Sequence, residues 1–344
     1  MIELKNIIIS ETDRIGDVIL TLPVFKTLKK NNKQIKITAL VRDYTADIFK
    51  CFKFVDDIIV YDPVIKKNKE RYKNLLLKIK SNEYDTAIIL HPEYIIAKLF
   101  KDAKIKTRIS YGWKWYQFLF TKVLIQHRSK NIKHQLEYNL DILKLLKIND
   151  SFFDTNIKLY PTQKSLTFIK KLLKKRKVTN KFIIIHPGSG HSALNLPIEK
   201  YNELINQIHK NFKNLKIVIT GSISDKEAIN YLISNSTSPI EIMPENLSLE
   251  DLIALISLSK IFISNSTGPL HIASALRIPT ISFYSPVFIH SPVRWGPYWG
   301  KKLVILPDVK CPQKWKCKYK KCPYYNCFNE ISFDNVLAFI KKNI

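Results

Sequence analysis

KIFISNSTGPLHIASALRIPTISFYSP, residues 260–286, reads as a buried strand, a polar loop, a helix and a second strand in succession. IFIS is a short apolar run, NSTGP carries turn chemistry, LHIASALRI has helical periodicity, and PTISFYS is again β-like. A strand, helix and strand joined by short loops make one turn of a parallel α/β sheet. Working outward, KFIIIHPGSG (181–190) and LKIVITGS (215–222) are further strands followed by loops, and PIEKYNELINQIHKNF (197–212) and LSLEDLIALISLS (247–259) are helices. Pro197 suits the first turn of its helix. The same rhythm fills the first half. KNIIIS (5–10), IKITALV (35–41), DDIIVYD (56–62) and YDTAIILH (84–91) are strands, and VILTLPVFKTLKK (18–30) and RYKNLLLKIKS (71–81) are helices. HQLEYNLDILKLLK (134–147) has a 3.6-residue period that predicts one closing helix. NDSFFDTNIKLYPT (149–162) breaks the rhythm and reads as an interdomain connection. The expectation is an α/β chain of two doubly wound domains, 1–155 and 156–344, facing a cleft lined by the C-terminal ends of the strands.

Composition narrows the class. The chain has 344 residues and a net charge of +27, with ordinary fractions of hydrophobic and charged residues, so wholesale disorder is excluded. No stretch is apolar enough to span a bilayer, and the N-terminal apolar run is broken by charges, so a cytoplasmic chain is expected. The lysines are spread along the whole sequence as solvated helix faces. They attract anionic partners in general, but no zinc-finger spacing or RNP motif accompanies them, so no nucleic-acid partner is expected. Only 8 glycines are present, and Gly16, Gly188, Gly190, Gly221 and Gly268 fall at or near strand ends. In so glycine-poor a chain they mark places where the backbone turns sharply or approaches a ligand. Four of the five cysteines (Cys311, Cys317, Cys322 and Cys327) lie in the last part of the chain, which excludes a secreted disulfide scaffold. Their spacing lacks the paired CxxC of strong zinc sites, so no metal is expected.

Three strand-to-helix loops carry the chemistry. In SETDRIGDVILTLP, Asp17 opens a helix directly after a buried strand. Spacing favours a helix cap there, with a general base as the alternative. In HPGSGHSALNLP, a strand delivers His186, Gly188 and Ser189 to the cleft, without the GxGxxG of a nicotinamide fold. In ISNSTGPLHIASAL, Ser266 or Thr267 caps a helix whose first-turn N–H groups suit a phosphate, with Gly268 allowing close approach and His271 one turn in. YGWKWYQFLFTKVLIQHR (111–128) mixes aromatics with cations. Packing with a solvated edge is one reading, and contact with an acidic glycolipid at a membrane surface is the other.

IGDVILTLP (15–23), IIHPGSG…LPIEKY (184–201), IVITGS…D (217–225), ISNSTGPLHIASALRIPTISFYSP (263–286) and RWGPYW (294–299) together resemble glycosyltransferase family 9, the lipopolysaccharide heptosyltransferases. The resemblance runs from the first strand to the last helix. It implies a GT-B fold of two Rossmann-like domains, with the acceptor at the first and a nucleotide-sugar donor, typically ADP-heptose, at the second. It implies inverting transfer without metal or other cofactor, to an anionic glycolipid such as the lipopolysaccharide inner core, with transient contact at the inner face of the cytoplasmic membrane. The family's catalytic aspartate falls on Asp17, and its donor contacts on Gly188, Ser189, Asp225, Leu247, Ser266, Thr267, Gly268 and His271. Two positions depart from the family pattern. Ser266 stands where an acidic residue is frequent, and Leu194 where a lysine is common, which bears on the identity of the donor. Two other classes remain: a different GT-B nucleotide-sugar enzyme, and a non-catalytic basic protein that binds membranes or nucleic acid. Asp17 in its IGD loop favours the family over the first, and the phosphate-suited 266–271 loop favours an enzyme over the second.

Overall fold

Ile7, Ile8 and Ile9 have no exposed surface, so the strand they form is covered on both faces, as the middle strand of a parallel sheet must be. The computed structural model describes residues 4–178, 181–188 and 194–344. In it the isoleucines belong to β1 (Asn6–Glu11), which pairs with β2 (Lys36–Arg42) on one side and β4 (Thr86–Ile89) on the other, Ile8 standing opposite Thr38 and Ala87. With β3 (Asp57–Tyr61), β5 (Thr107–Tyr111) and β6 (Lys122–Leu124) they form a six-stranded parallel sheet in the order β3-β2-β1-β4-β5-β6. The crossovers are α1 (Ile15–Asn31), α2 (Asp43–Lys50), α3 (Lys69–Ser81) and α4 (Tyr94–Asp102). Ile8, Leu40, Ala87, Ile96 and Phe100 belong to the core on one face of this sheet.

The closing helix is shorter than its period predicts. α5 covers only Gln135–Leu140, and Asp141–Leu146 continues as tighter 3₁₀ turns that end at Lys147 in the left-handed region (φ 64°). His134 caps α5, its ring Nδ1 accepting from Leu136 N–H while Glu137 reaches back to the His134 N–H.

α6 (Gln163–Lys175) precedes a second sheet. Its strands are β7 (Phe182–His186), β8 (Lys216–Ile219), β9 (Ile240–Ile242), β10 (Phe262–Asn265), β11 (Thr280–Phe283) and β12 (Lys302–Ile305), all parallel, in the order β12-β11-β10-β7-β8-β9. The helices between them are α7 (Ile198–Asn211), α8 (Lys226–Asn235), α9 (Leu249–Leu258) and α10 (Gly268–Ala275), and α11 (Pro292–Trp295) is a single turn before β12. The terminal α12 (Asp334–Asn343) returns to this core. Val336 and Ile340 are fully buried, and Phe333 meets Phe283 edge-on, which in turn meets Tyr201. The chain divides into two compact units, Met1–Ile157 and Lys158–Ile344, each contiguous in sequence with its own sheet. No helix among the described residues is long and apolar enough to cross a membrane.

Candidate functional site

A parallel sheet collects its strand ends on one edge, and in the first unit that edge gathers charge. β1 ends in Glu11, and Thr12, Asp13 and Arg14 carry the chain into α1. The helix N-cap is Arg14, with no side-chain cap, and Asp17 sits in the first turn, partly buried. Asp17 is therefore not the cap that its spacing favours. Burial, followed by the charge of Asp13, pushes its carboxyl up to about 6. Asp13 itself is matched by His91, which follows β4, with Oδ2 3.1 Å from the ring Nδ1. That hydrogen bond holds Asp13 below the ordinary carboxylate range. Burial works against the His91 charge, but Asp13 and the nearby Glu11 overcome it and raise the imidazole. Glu93 accepts from Thr12 Oγ1 at 2.7 Å and pairs with Lys66 at 2.5 Å. These two partners outweigh its burial and lower its pKa.

Glu11, which the sequence reading passed over, is the most perturbed of this group. It is 4% exposed, accepts from the Asp13 N–H at 3.2 Å, and is pushed up to about 8 by burial and then by the charge of Asp17. Its only sequence signal is a carboxylate closing an apolar strand. Beside it, a groove of about 640 Å³ is lined by His91, Tyr111, Trp113, Lys114, Gln126 and Arg128 among others. The Arg128 guanidinium lies over the Tyr111 ring at 3.7 Å and donates to Gln126 Oε1 at 2.9 Å. An aromatic face backed by cations is the kind of surface that packs a sugar ring and meets phosphate. Tyr111, Tyr116, Leu119 and Phe120 are buried, whereas Trp113, Trp115 and Phe118 are exposed.

In the second unit, Gly188 follows β7 and faces Asp225. A Cβ on Gly188 would stand 2.2 Å from the Asp225 Cγ, so only glycine fits. Asp225 is buried, and its Oδ2 accepts from both the N–H and the hydroxyl of Ser222, at 2.8 and 2.7 Å, forming a capping box just ahead of α8. Thr267 is the N-cap of α10, accepting from the Leu270 N–H at 3.4 Å. Pro269 has no N–H, so the phosphate-suited turn keeps fewer donors than the sequence suggests, and Gly268 supplies the one at its start. Ser266 is partly buried and hydrogen-bonded to Tyr284, and His271 is buried one turn into α10. Leu247 is half-buried, immediately before Ser248, the cap of α9. Ser189 lies outside the described residues.

His186 is a packed residue rather than a delivered one. It is 8% exposed, its Nδ1 is 3.0 Å from Thr220 Oγ1, and burial pushes its pKa down to about 4, so it is neutral near pH 7. The residue missed in this unit is Asn265, at the end of β10. Its side chain is 1% exposed, donates to the Pro187 carbonyl at 3.0 Å, and accepts from the Leu196 N–H at 3.0 Å. One amide thus ties together the two flanks of the HPGSG loop.

Comparison with known proteins gives this arrangement its context. Residues 73–325 match the family model described as glycosyltransferase family 9 (heptosyltransferase). A putative glycosyltransferase of Haemophilus influenzae is 32% identical over 308 residues, covering 86% of each chain. Lipopolysaccharide heptosyltransferase 3 of Escherichia coli is 24% identical over 313 residues, covering 90% of this chain and 87% of that one. The solved structure of E. coli ADP-heptose lipopolysaccharide heptosyltransferase II superposes with a TM-score of 0.80 at 18% identity, covering 98% of both chains. The two parallel α/β sheets are those of a GT-B fold.

Proposed function

Since the chain belongs to glycosyltransferase family 9, we propose that it moves a heptose or related sugar from an ADP-sugar to a lipopolysaccharide core or similar anionic glycolipid, inverting the anomeric centre. In this reading the first unit takes the acceptor and the second takes the donor. The names of its relatives, heptosyltransferases acting on lipopolysaccharide and one titled for ADP-heptose, support the choice of substrates.

The observation that carries the mechanism is Asp17. It leaves the cap position to Arg14 and has a carboxyl raised towards neutrality. A carboxylate with a pKa of about 6 is ionised at pH 7, yet more basic than an exposed aspartate. Asp17 takes the proton of the acceptor hydroxyl as the oxygen attacks the anomeric carbon, from the face opposite the nucleotide. The bond from that carbon to the diphosphate breaks, and the leaving group carries away the electron pair. Charge growing on the diphosphate is met by the start of α10, where the Gly268 N–H and the positive end of the helix dipole stand ready. Ser266, Thr267 and His271 frame that turn. Asp225 keeps the Gly188 backbone open to the nucleotide, with Ser189 and Leu247 completing the donor contacts. The chemistry as written requires no metal, because a diphosphate is already a good leaving group. The basic surface and the aromatic 111–128 segment bring the enzyme into transient contact with an anionic membrane carrying the acceptor.

The test is Asp17→Asn, assayed for sugar transfer, donor binding and thermal stability on one preparation. Transfer should fall by about 10²–10⁴-fold with folding and ADP affinity retained. Substantial residual transfer would remove Asp17 from the reaction. Thermal shifts with ADP- and UDP-sugars would separate this donor from its alternatives, since a ligand stabilises only the fold that binds it.

A further inference from the structure

The groove at the strand ends of the first sheet is one-sided in charge. His91, Lys114, His127 and Arg128 line its volume of about 640 Å³, and among the described residues no aspartate or glutamate does. The carboxylates of this corner stand outside that wall. Glu11 closes β1, Asp13 follows it, Asp17 lies in the first turn of α1, and Glu93 comes two residues after His91. A cleft lined by one sign of charge concentrates ligands of the other sign, so this one favours an anion.

His91 is held from several directions. The Leu90 N–H donates to the Ser10 carbonyl at 3.0 Å, carrying the sheet pairing to the residue before it. Pro92 follows and restricts the His91 backbone to extended conformations. The Pro92 carbonyl accepts from the Tyr116 hydroxyl at 2.7 Å. On the ring, Nδ1 lies 3.1 Å from Asp13 Oδ2. Asp13 is itself anchored, its N–H donating to Glu11 Oε1 at 3.2 Å and its carbonyl accepting from the Tyr44 hydroxyl at 3.1 Å. Nδ1 is thereby committed, whereas Nε2 has no partner among the described residues. A carboxylate on one ring nitrogen fixes the orientation in which the other is presented. Arg128 is fixed in the same wall by its stacking on Tyr111 at 3.7 Å and its bond to Gln126.

We propose that this groove is a subsite for an acidic substituent of the acceptor, a sugar carboxylate or phosphate, in which His91 donates from Nε2 to an anionic oxygen and Asp13 is the positioning residue for His91. It rests on the reading that the first unit takes the acceptor. Lys114 and Arg128 supply the remaining positive charge, and the exposed Trp113 ring offers an apolar face to the sugar. The His91 contact requires a charged imidazole, because a neutral ring with its proton on Nδ1 presents a lone pair at Nε2 and repels an anion. Burial opposes that charge, but Asp13, Glu11 and Glu93 favour it and raise the imidazole above its ordinary value. Asp17 also feels the imidazole charge. On the groove side the charged or titratable neighbours are Tyr111, Lys114, His127 and Arg128. The acid is therefore held while His91 is protonated, and its grip loosens as the pH climbs through the His91 titration. One residue reads the charge of the acceptor, while Asp17 takes its proton.

The test uses the full chain and three probes: methyl glucuronide, glucose 6-phosphate and the uncharged methyl glucoside. Affinities and the His91 ring are followed by NMR. At pH 6 at least one acidic sugar should bind about tenfold more tightly than methyl glucoside, and the preferred one identifies carboxylate or phosphate. His91→Gln should lose about tenfold in that affinity at pH 6, with ADP binding unchanged. His91→Lys should keep the preference for acid. The ratio of wild-type to His91→Lys affinity should fall between pH 6 and pH 9, and in this ratio the phosphate's own titration cancels. Asp13→Asn should lower the midpoint of the His91 ring titration and weaken acid binding with it. Should a variant fail to fold, the pH dependence of methyl glucuronide binding and the response of the His91 ring in the unaltered chain still decide the matter. Equal affinity for charged and neutral sugars, no binding of any probe, or acid binding indifferent to His91→Gln would each overturn the proposal. Binding is read here without transfer, so failure of the subsite leaves the heptosyl-transfer reading standing. A chain that binds these acids but transfers no heptose would count against that reading alone.

Discussion

Glu11 and Asp17 are two carboxyls in one poorly solvated corner, and their titrations have opposite value to the molecule. Asp17 must be ionised to accept a proton, so kcat/KM should fall on the acid side with an apparent pKa of about 6. A pH–rate profile that stays flat down to pH 5 would contradict this. Glu11 is protonated when Asp17 works, and its raised pKa makes it a liability in alkali. The folded state holds its proton up to about 8, whereas the unfolded chain releases it near 4.5. Its contribution to stability is therefore present below 4.5 and is lost as the pH rises towards 8. Glu11→Gln keeps the shape and removes the titration. Relative to wild type, this variant should gain melting temperature between pH 5 and pH 8 while its acid limb in kcat/KM stays in place. Glu11 was not legible in the sequence, because nothing local shows that a glutamate after NIIIS will be covered. Its burial follows from β1 lying in the interior of the sheet, between β2 and β4.

The donor-side loops are held by contacts between elements, and these can be broken singly. Gly188→Ala puts a methyl group into the Asp225 carboxylate, which cannot retreat without leaving Ser222. ADP affinity, read by calorimetry, should fall for Gly188→Ala, and the fall should be smaller when Asp225→Ala has already removed the obstacle. Equal losses in both backgrounds would mean that the two residues are not coupled. Thr267→Ala should cost about 1 kcal/mol of stability through the lost cap of α10, and weaken ADP binding alongside it. The elements themselves were largely readable. Apolar runs such as FIIIH and FISN became β7 and β10, with the turn residues of NSTGP leading into α10. β5, β6, β9 and β12 escaped; the last three hold only three or four residues at the edge of a sheet, too few to show a period. Asn265 escaped for another reason. Its two partners, Pro187 and Leu196, lie far away in sequence, and no local pattern announces a clamp of that span.

At the scale of the molecule, charge and shape act together. Trp113, Trp115 and Phe118 are 69%, 74% and 65% exposed, which is unusual for large apolar side chains, and they rise from a chain of net charge +27. Flotation should show binding to vesicles rich in anionic lipid that weakens as salt is raised, because screening shortens the reach of the lysines. Trp113→Ser with Trp115→Ser should weaken that binding further without altering melting temperature. Binding to neutral vesicles that ignores salt would exclude the electrostatic account.

The division of the chain after Ile157 has a consequence for its synthesis. Every strand of the first sheet, from β1 to β6, lies before that point, and among the described residues no strand after it pairs with any of them. A ribosome delivering the protein from its N-terminus can release a finished sheet before the first residue of the other is made, since domains fold as units during synthesis. Nascent chains stalled well beyond residue 157 should then yield a protease-resistant N-terminal fragment, while those stalled before β6 has emerged should be digested through. Only one set of unpaired strand edges need be exposed at a time, which limits the interval in which the nascent chain can aggregate.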